Sequence, residues 1–418
     1  MSCSILLRIP LELREEIIQY VLYSLRPSPD GPSYPHNRVR LFDVGFDSLL
    51  SLLSHRLRHE KPVEWTIPAG QALLLVNRQI AAETRAILAR YPLTYQLDIM
   101  MIQERYLWPT WLSVPVLSNR IDELKITFRT FGSAVSPRNH QHMFSSSPTG
   151  MFDYRLYTND PPRLVLCLLS VIERILLRGV PFPSPARLSN TSQEWDVNTI
   201  ESLLIVEDDI LPEEDSEELR ECIQARTTLA QRIRDREVII GTLVLDIQSP
   251  TAWHGQTTPE PEVGFAEWKS YSYHFAYQAF SPFAFVDSSE SSLVTDIPVA
   301  RSEWLASMIS SEITALLRMK YQSIFCNDLI FERIGRIQVK VDGVLFAELN
   351  LDEMLANLQF TGGWLPRDTV IDSVIDSVDK RRWQFFGWKE RTKRFRMKRG
   401  LPVVHVGDSL ELFESRLL

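Results

Sequence analysis

The sequence predicts an α+β fold, in which an N-terminal helical module is followed by an irregular α/β domain. Three observations support this prediction. Apolar residues at helical spacing dominate the first 95 residues, helix and strand patterns alternate between residues 121 and 247, and 418 residues exceed the length of one ordinary domain. Hydrophobic residues make up 44% of the chain and charged residues 23%, so the chain can bury a sizeable core.

The first predicted helix begins at Pro10, because proline has the φ angle of a helix and lacks an N–H that the first turn would leave unsatisfied. Glu12, Glu15 and Glu16 follow, and their charges favour the positive end of the helix dipole. Two adjacent faces carry apolar residues at helical spacing: Leu13, Ile17, Val21 and Leu25, widened by Ile18 and Leu22. Apolar residues on more than one face are expected of a helix that is contacted from two sides.

Further elements complete the predicted helical module. Prolines predict a loop over residues 27–40, and clustered leucines predict a short helix over residues 47–59. A second long helix is predicted over residues 71–91, with Pro92 closing it. Its apolar face comprises Leu73, Val76, Ile80, Ile87 and Tyr91.

Beyond this module, strand and helix patterns alternate. The predicted elements are a strand over 121–131, a buried helix over 164–178, strands over 200–206 and 238–247, and a hairpin over 339–346. The hairpin turns at Asp342-Gly343, a pair that suits a tight turn with positive φ. We find no strict repeat, although the same rhythm also fits an irregular solenoid. The predicted division is a helical module with a proline-rich insert over 1–95, an α/β domain over 96–379, and a basic, aromatic C-terminal segment over 380–418.

Sequence motifs of catalysis and cofactor binding are missing. The chain has no phosphate-binding P-loop and no GxGxxG, GxSxG or HExxH motif, and its four cysteines are too dispersed for a zinc ribbon or a disulfide scaffold. No apolar run reaches the about 20 residues that a membrane span needs. We therefore expect a protein that is not an enzyme, has no cofactor, metal or membrane span, and is located in the cytoplasm, the nucleus or both.

Charge is unevenly distributed along the chain. A net charge of −8 argues against a nucleic-acid binder that uses the whole chain, so any basic surface must be local. Between Lys380 and Arg399 there are ten basic residues and a single acid, Glu390, interleaved with aromatic residues. Two clusters in this basic segment resemble a bipartite nuclear-import signal: Arg381 and Arg382, then Lys393, Arg394 and Arg396. The alternatives are binding of RNA or anionic lipid, and a partly buried terminal element whose cations stay solvated.

Two stretches of the N-terminal module carry a family resemblance. Ile9-Pro10-Leu11-Glu12, followed by spaced isoleucines and leucines up to Leu22, resembles the opening of an F-box. The sequence from Leu74 to Glu83, with Val76-Asn77-Arg78 at its centre, resembles the closing helix of the same motif. Together they are similar to the F-box-like proteins of filamentous fungi, in which a variable insert separates the two halves.

This resemblance implies a partner and a function. It implies that the Skp adaptor of a cullin-RING ubiquitin ligase binds these residues: Ile9, Pro10, Leu13, Ile17 and Leu22. The protein would then be a non-catalytic adaptor whose α/β domain recruits an unknown protein substrate. The alternatives are a stand-alone interaction or nuclear scaffold protein without a ligase partner, and nucleic-acid binding through the basic segment. The residues alone fit equally a docking helix and a helix enclosed within its own domain.

Overall fold

The computed structural model describes residues 5–29, 38–40, 58–60, 68–102, 106–131, 163–179, 237–249, 302–319, 327–360 and 378–404. A short 3-10 turn over Ile5–Arg8 precedes the first helix. The helices are α1 (Leu11–Tyr23), α2 (Ala69–Val76), α3 (Arg78–Arg90), α4 (Arg163–Arg178), α5 (Ser302–Leu317), α6 (Asn327–Arg333), α7 (Leu351–Asn357) and α8 (Val378–Lys398). The strands are β1 (Arg38–Arg40), β2 (Arg58–Glu60), β3 (Thr94–Ile102), β4 (Tyr106–Ser113), β5 (Arg120–Phe131), β6 (Ile239–Gln248), β7 (Ile334–Val341) and β8 (Val344–Asn350).

A mixed six-stranded sheet organises the larger part of the fold, in the order β4-β3-β5-β6-β7-β8. Strands β3, β5, β6 and β7 are parallel to one another, while β4 and β8 pair antiparallel at the two edges. Strands β1 and β2 form a separate antiparallel pair. Helices and a mixed sheet thus occur in one chain, so the predicted α+β fold class is confirmed.

One face of the sheet forms the main apolar core with helices α4 to α8. In β5, Leu124, Ile126 and Phe128 enter this core, whereas the alternate residues Lys125 and Thr127 do not. All side chains from residue 164 to residue 176 of α4 are buried, including the polar and charged residues Ser170, Glu173 and Arg174 that interrupt the apolar pattern. The core also contains Phe385 and Trp388 of α8, so this helix belongs to the same layer as α4 to α7.

The opposite face of the sheet carries charged residues that pair across neighbouring strands. Asp98 of β3 accepts two hydrogen bonds from Arg129 of β5, at 2.7 and 2.6 Å, and both side chains are buried. Lys125 of β5 lies 3.3 Å from the buried carboxylate of Asp246 in β6. Arg129 also donates to the carbonyl of Pro29, so this face contacts the segment that follows α1.

The N-terminal helices form a second, smaller core. Ile18 and Leu22 of α1 pack against Ile80 and Ile87 of α3. Backbone hydrogen bonds from Arg26 to Leu112 and from Gly70 to Pro115 join these helices to β4 and to the loop after it. The predicted boundary between residues 95 and 96 falls inside β3, which is part of the large sheet.

Several predicted elements are confirmed. The strand over 121–131, the helix over 164–178 and the strand over 238–247 appear as β5, α4 and β6. The hairpin is formed by β7 and β8, and its turn residues Asp342 and Gly343 have φ angles of 49° and 80°. Positive φ at both central residues is the geometry that an Asp-Gly pair favours.

Other predictions are wrong or lie outside the described residues. The single helix predicted over 71–91 is two helices, α2 and α3, separated at Asn77. Residues 38–40 of the predicted loop form β1, and residues 58 and 59 of the predicted short helix belong to β2. Residues 47–57 and the strand predicted over 200–206 lie outside the described residues. Among the described helices, none is long and apolar enough to cross a membrane.

Asn77 separates α2 from α3 because its side chain caps the second helix. Its backbone is extended, with φ −161° and ψ 170°, and its Oδ1 accepts the N–H of Ile80 at 2.9 Å. Asparagine is among the preferred N-cap residues because it satisfies one of the donors that a helix start leaves open. The periodicity of apolar residues continues past Asn77, so this pattern alone predicts one helix.

Candidate docking surface

The inner face of α1 is sealed by the rest of the module. Ile18 is 1% exposed and Leu22 is 2% exposed, and both contact the apolar side of α3. Their spacing of four residues places them on one side of the helix. Truncating either side chain would therefore leave a cavity between α1 and α3.

Arg14 fixes the start of α1 through a partly buried ion pair. Its guanidinium donates two hydrogen bonds to the carboxylate of Glu83 in α3, at 3.0 and 2.7 Å. The same group donates to the carbonyls of Leu7 and Ile9, at 3.2 and 2.7 Å. Two parallel bonds between guanidinium and carboxylate define the relative orientation of the groups as well as their distance. One side chain therefore connects α3, α1 and the N-terminal turn.

The same ion pair shifts the pKa of both partners. The hydrogen bond from Arg14 lowers the pKa of the Glu83 carboxyl below its usual range. The Glu83 carboxylate raises the pKa of the Arg14 guanidinium. Both groups are therefore charged at neutral pH, and the connection loosens only when Glu83 is protonated in acid.

The outer face of α1 exposes apolar side chains. Leu13 is 50% exposed, Ile17 is 41% exposed and Tyr20 is 78% exposed. These three residues follow the i, i+4, i+7 spacing of one helical face, and we call them the outer stripe. Glu12 and Glu16 are exposed beside it. An apolar stripe rimmed by charge on an otherwise anchored helix is typical of a protein-interaction surface.

The structure places the five residues of the predicted adaptor contact in different environments. Leu13 and Ile17 belong to the outer stripe, Pro10 is exposed at the start of α1, and Ile9 is half-buried beside the turn that Arg14 holds. Leu22 departs from the prediction, because it is buried in the module core and its side chain is already covered by this chain. We therefore remove Leu22 from the contact set.

Two further exposed sites were missing from the predicted contact set. Tyr20 has the largest exposed fraction of the outer stripe, and its spacing of three residues from Ile17 was the available signal. Leu75 and Val76 are exposed at the end of α2, which contacts α1. The exposure of Val76 follows from the break at Asn77, because a continuous helix would have placed Val76 on the face of Ile80.

The basic segment is divided between the interior and the surface. Lys393 and Arg396 are buried in α8, whereas Arg382 and Arg394 are exposed and Arg381 is half-buried. Arg396 donates to the carbonyls of Ile334, Gly335 and Pro402, at 2.8, 3.3 and 2.9 Å, and to that of Phe331. A buried, hydrogen-bonded arginine is not available to an import receptor. The structure thus favours the alternative of a partly buried terminal element. The prediction that its cations stay solvated is wrong for Lys393 and Arg396, which are buried along with the aromatic residues.

The fold and the site define a helical module with an exposed apolar stripe, joined to the domain that contains the mixed six-stranded sheet. Comparisons with protein-family models, with curated proteins and with solved structures give no match. Within the described part of the chain, no cluster of three or more histidine, cysteine, aspartate or glutamate side chains could hold a metal ion. The exposed outer stripe of α1 is the candidate site that the described residues define.

Proposed function

We propose that this protein is a non-catalytic adaptor, the substrate-recruiting subunit of a Skp-cullin-F-box type ubiquitin ligase. The observation that carries the proposal is the outer stripe of α1, which stays exposed while the opposite face of the same helix is sealed. The likeness of residues 9–22 and 74–83 to an F-box supports the Skp adaptor as the partner. The α/β domain then holds an unknown protein substrate close to the ligase.

Burial of the outer stripe would stabilise such a complex. Fully burying a leucine or isoleucine side chain contributes about 1.5–3 kcal/mol, so the exposed halves of Leu13 and Ile17 together contribute about 2 kcal/mol. Tyr20 adds a larger exposed surface and a hydroxyl that can form a hydrogen bond at the rim. Glu12 and Glu16 favour a partner groove that is apolar at its centre and basic at its edge.

The stripe also comes prearranged for binding. The ion pair of Arg14 with Glu83 and the contacts of Ile18 and Leu22 hold α1 against α3 before any partner arrives. A helix that is already ordered loses little conformational freedom on association. This anchoring distinguishes α1 from a loose terminal helix that would fold only on binding.

The test is the affinity of the full chain for purified Skp adaptor, measured by biolayer interferometry. We expect the wild-type chain to bind. The double substitution Leu13→Asp with Ile17→Asp should weaken binding about tenfold or more, because two charges would replace apolar side chains that the complex buries. The matched control is Leu345→Asp with Phe346→Asp, which changes two exposed apolar residues of β8. We expect the control to bind as the wild type does.

The same measurement distinguishes the alternative function. A stand-alone interaction or nuclear scaffold protein without a ligase partner would keep the outer stripe but would not bind the Skp adaptor. A wild-type chain that folds and fails to bind the adaptor would therefore exclude the ligase role. If the β8 control lost as much binding as the α1 variant, the contact would not be specific to α1.

A further inference from the structure

The buried face of α8 determines which of its basic residues face outward. Phe385, Trp388, Thr392 and Arg396 are buried at spacings of three or four residues, so they form one inner side that faces the α/β domain. The aromatic residues of that side contact one another and Phe331 of α6. The opposite side of α8 is therefore fixed as an outer surface.

This outer surface carries arginine, lysine and tryptophan in one row. Trp383, Gly387, Arg391, Arg394 and Lys398 are all exposed and follow each other at three or four residues; we call them the basic stripe. From Trp383 to Lys398 the row extends about 22 Å along the helix. Trp383 is 40% exposed at its N-terminal end. No acidic residue belongs to the row.

The charges of the basic stripe are not neutralised within the described part of the chain. Neither Arg391, Arg394 nor Lys398 forms an ion pair with a described residue. Glu390 lies beside the row, but its carboxylate is 3.0 Å from the buried ammonium of Lys393. The positive charge of the row is therefore available to an external anion.

Gly387 leaves the helix backbone uncovered within the row. A Cβ at this position would meet no atom within 4 Å, so internal packing does not require a glycine there. Glycine in a helix interior costs about 0.5–1 kcal/mol relative to alanine. Its presence between Trp383 and Arg391 leaves the helix backbone open to close contact with a bound chain.

We propose that the basic stripe of α8 binds single-stranded nucleic acid, an activity that goes beyond the adaptor function and does not depend on it. Arginine guanidinium groups bind phosphates in bidentate fashion, and an exposed tryptophan ring stacks on a base of any sequence. The charges of the row suit the phosphate backbone, and Trp383 supplies the stacking surface. We expect the complex to depend little on base sequence, because phosphate contacts and ring stacking do not distinguish one base from another.

A membrane surface fits α8 less well. An amphipathic helix that binds lipid inserts a continuous apolar face below the headgroups. Phe385 and Trp388 of α8 are already buried in the domain core, and the exposed Phe395 and Met397 are two residues apart, so they lie on opposite flanks of the helix and form no continuous apolar face. An acidic protein would also pair with the charges of the row, but nucleic acid combines phosphate charge with flat bases that stack on an exposed ring. The combination of cations with an exposed ring thus favours nucleic acid.

The proposal is tested with the full chain and fluorescein-labelled oligouridylate, followed by fluorescence anisotropy. Arg391→Glu with Arg394→Glu is expected to weaken binding about tenfold or more and to reduce the salt dependence of the affinity, because fewer counterions are released. Trp383→Ala is expected to weaken binding about fivefold, and Trp383→Phe to restore most of it, because phenylalanine keeps a stacking ring.

The matched control is Arg78→Glu with Arg85→Glu on α3, which changes net charge by the same amount at two other exposed arginines. We expect this control to bind within about twofold of the wild type, and an equal loss in both double variants would overturn the proposal. A folded wild-type chain that does not bind oligouridylate would also overturn it. Binding to phosphatidylserine vesicles without binding to oligouridylate would overturn the proposal as well. The same holds if polyglutamate binds with the same affinity as oligouridylate and Trp383→Ala leaves the affinity for polyglutamate unchanged.

Discussion

Helices α1 and α8 both have two chemically distinct sides, but they differ in how many cations they bury and in what they expose. The inner side of α1 is formed by Ile18 and Leu22, with Arg14 as its one buried charge. The inner side of α8 combines Phe385 and Trp388 with three buried cations, Lys389, Lys393 and Arg396. In α1 the exposed side is apolar, and in α8 the exposed side is basic.

The reason for this difference lies in the groups that each helix meets. Lys389 donates to the carbonyls of Ala356 and Leu358 at the end of α7, at 2.7 and 3.3 Å. Arg396 donates to the carbonyl of Phe331 near the end of α6 and to that of Ile334 just after it. The last carbonyls of a helix have no partner within it and carry partial negative charge, so a buried cation stabilises them. Whether a cation of α8 is buried thus depends on the carbonyl groups that it faces rather than on its residue type.

Arg396 provides the largest expected effect. Burial lowers the pKa of its guanidinium to about 10, so it still carries its charge at neutral pH. Arg396→Ala removes a charged donor from at least two buried carbonyls, and we expect a loss of about 4 kcal/mol or more in the free energy of unfolding. Arg394→Ala, two residues away and exposed, should change it by less than about 0.5 kcal/mol. Urea unfolding measures both, and similar values would mean that the two sides of α8 are not distinct.

An intermediate effect is expected at neighbouring isoleucines of α1. Ile18→Ala creates a cavity in the module core and should lower the free energy of unfolding by about 3 kcal/mol. Ile17→Ala removes a half-exposed side chain and should cost less than about 1 kcal/mol. Thermal unfolding monitored by circular dichroism compares them. A larger effect at Ile17 would mean that the outer stripe is covered by the chain itself.

The smallest effect concerns the pH dependence of the ion pair between Arg14 and Glu83. The pKa of Glu83 is lower in the folded protein than its ordinary value, so the pair stabilises the fold above the ordinary glutamate pKa of about 4.3. This stabilisation is lost as the pH falls through the lowered pKa. We expect Glu83→Gln to lower the melting temperature by a few degrees at neutral pH, and the difference from the wild type to shrink in acid. A difference that does not vary with pH would show that charge does not contribute.

Much of the fold follows from local sequence patterns. Strands β3 and β4 show where such patterns fail to predict a strand. The run of apolar residues in α4 and the Asp342-Gly343 turn are local signals, and both predictions are confirmed. Strands β3 and β4 were not predicted, because Asp98 interrupts one pattern and Pro109 the other. Asp98 is stable in a buried position because Arg129 pairs with it from 31 residues away. Pro109 is accommodated because β4 lies at the edge of the sheet.

The sequence by itself determined that α1 carries apolar residues on two faces and that residues 380–399 concentrate positive charge. Both properties depend only on residue type and helical spacing. The tertiary structure alone decided that Leu13 and Ile17 face outward while Leu22 is enclosed, and that Arg396 is buried while Arg394 is exposed. The physical reason is that α3 supplies the apolar surface and α6 the carbonyl groups, and no local pattern shows where these distant segments will lie.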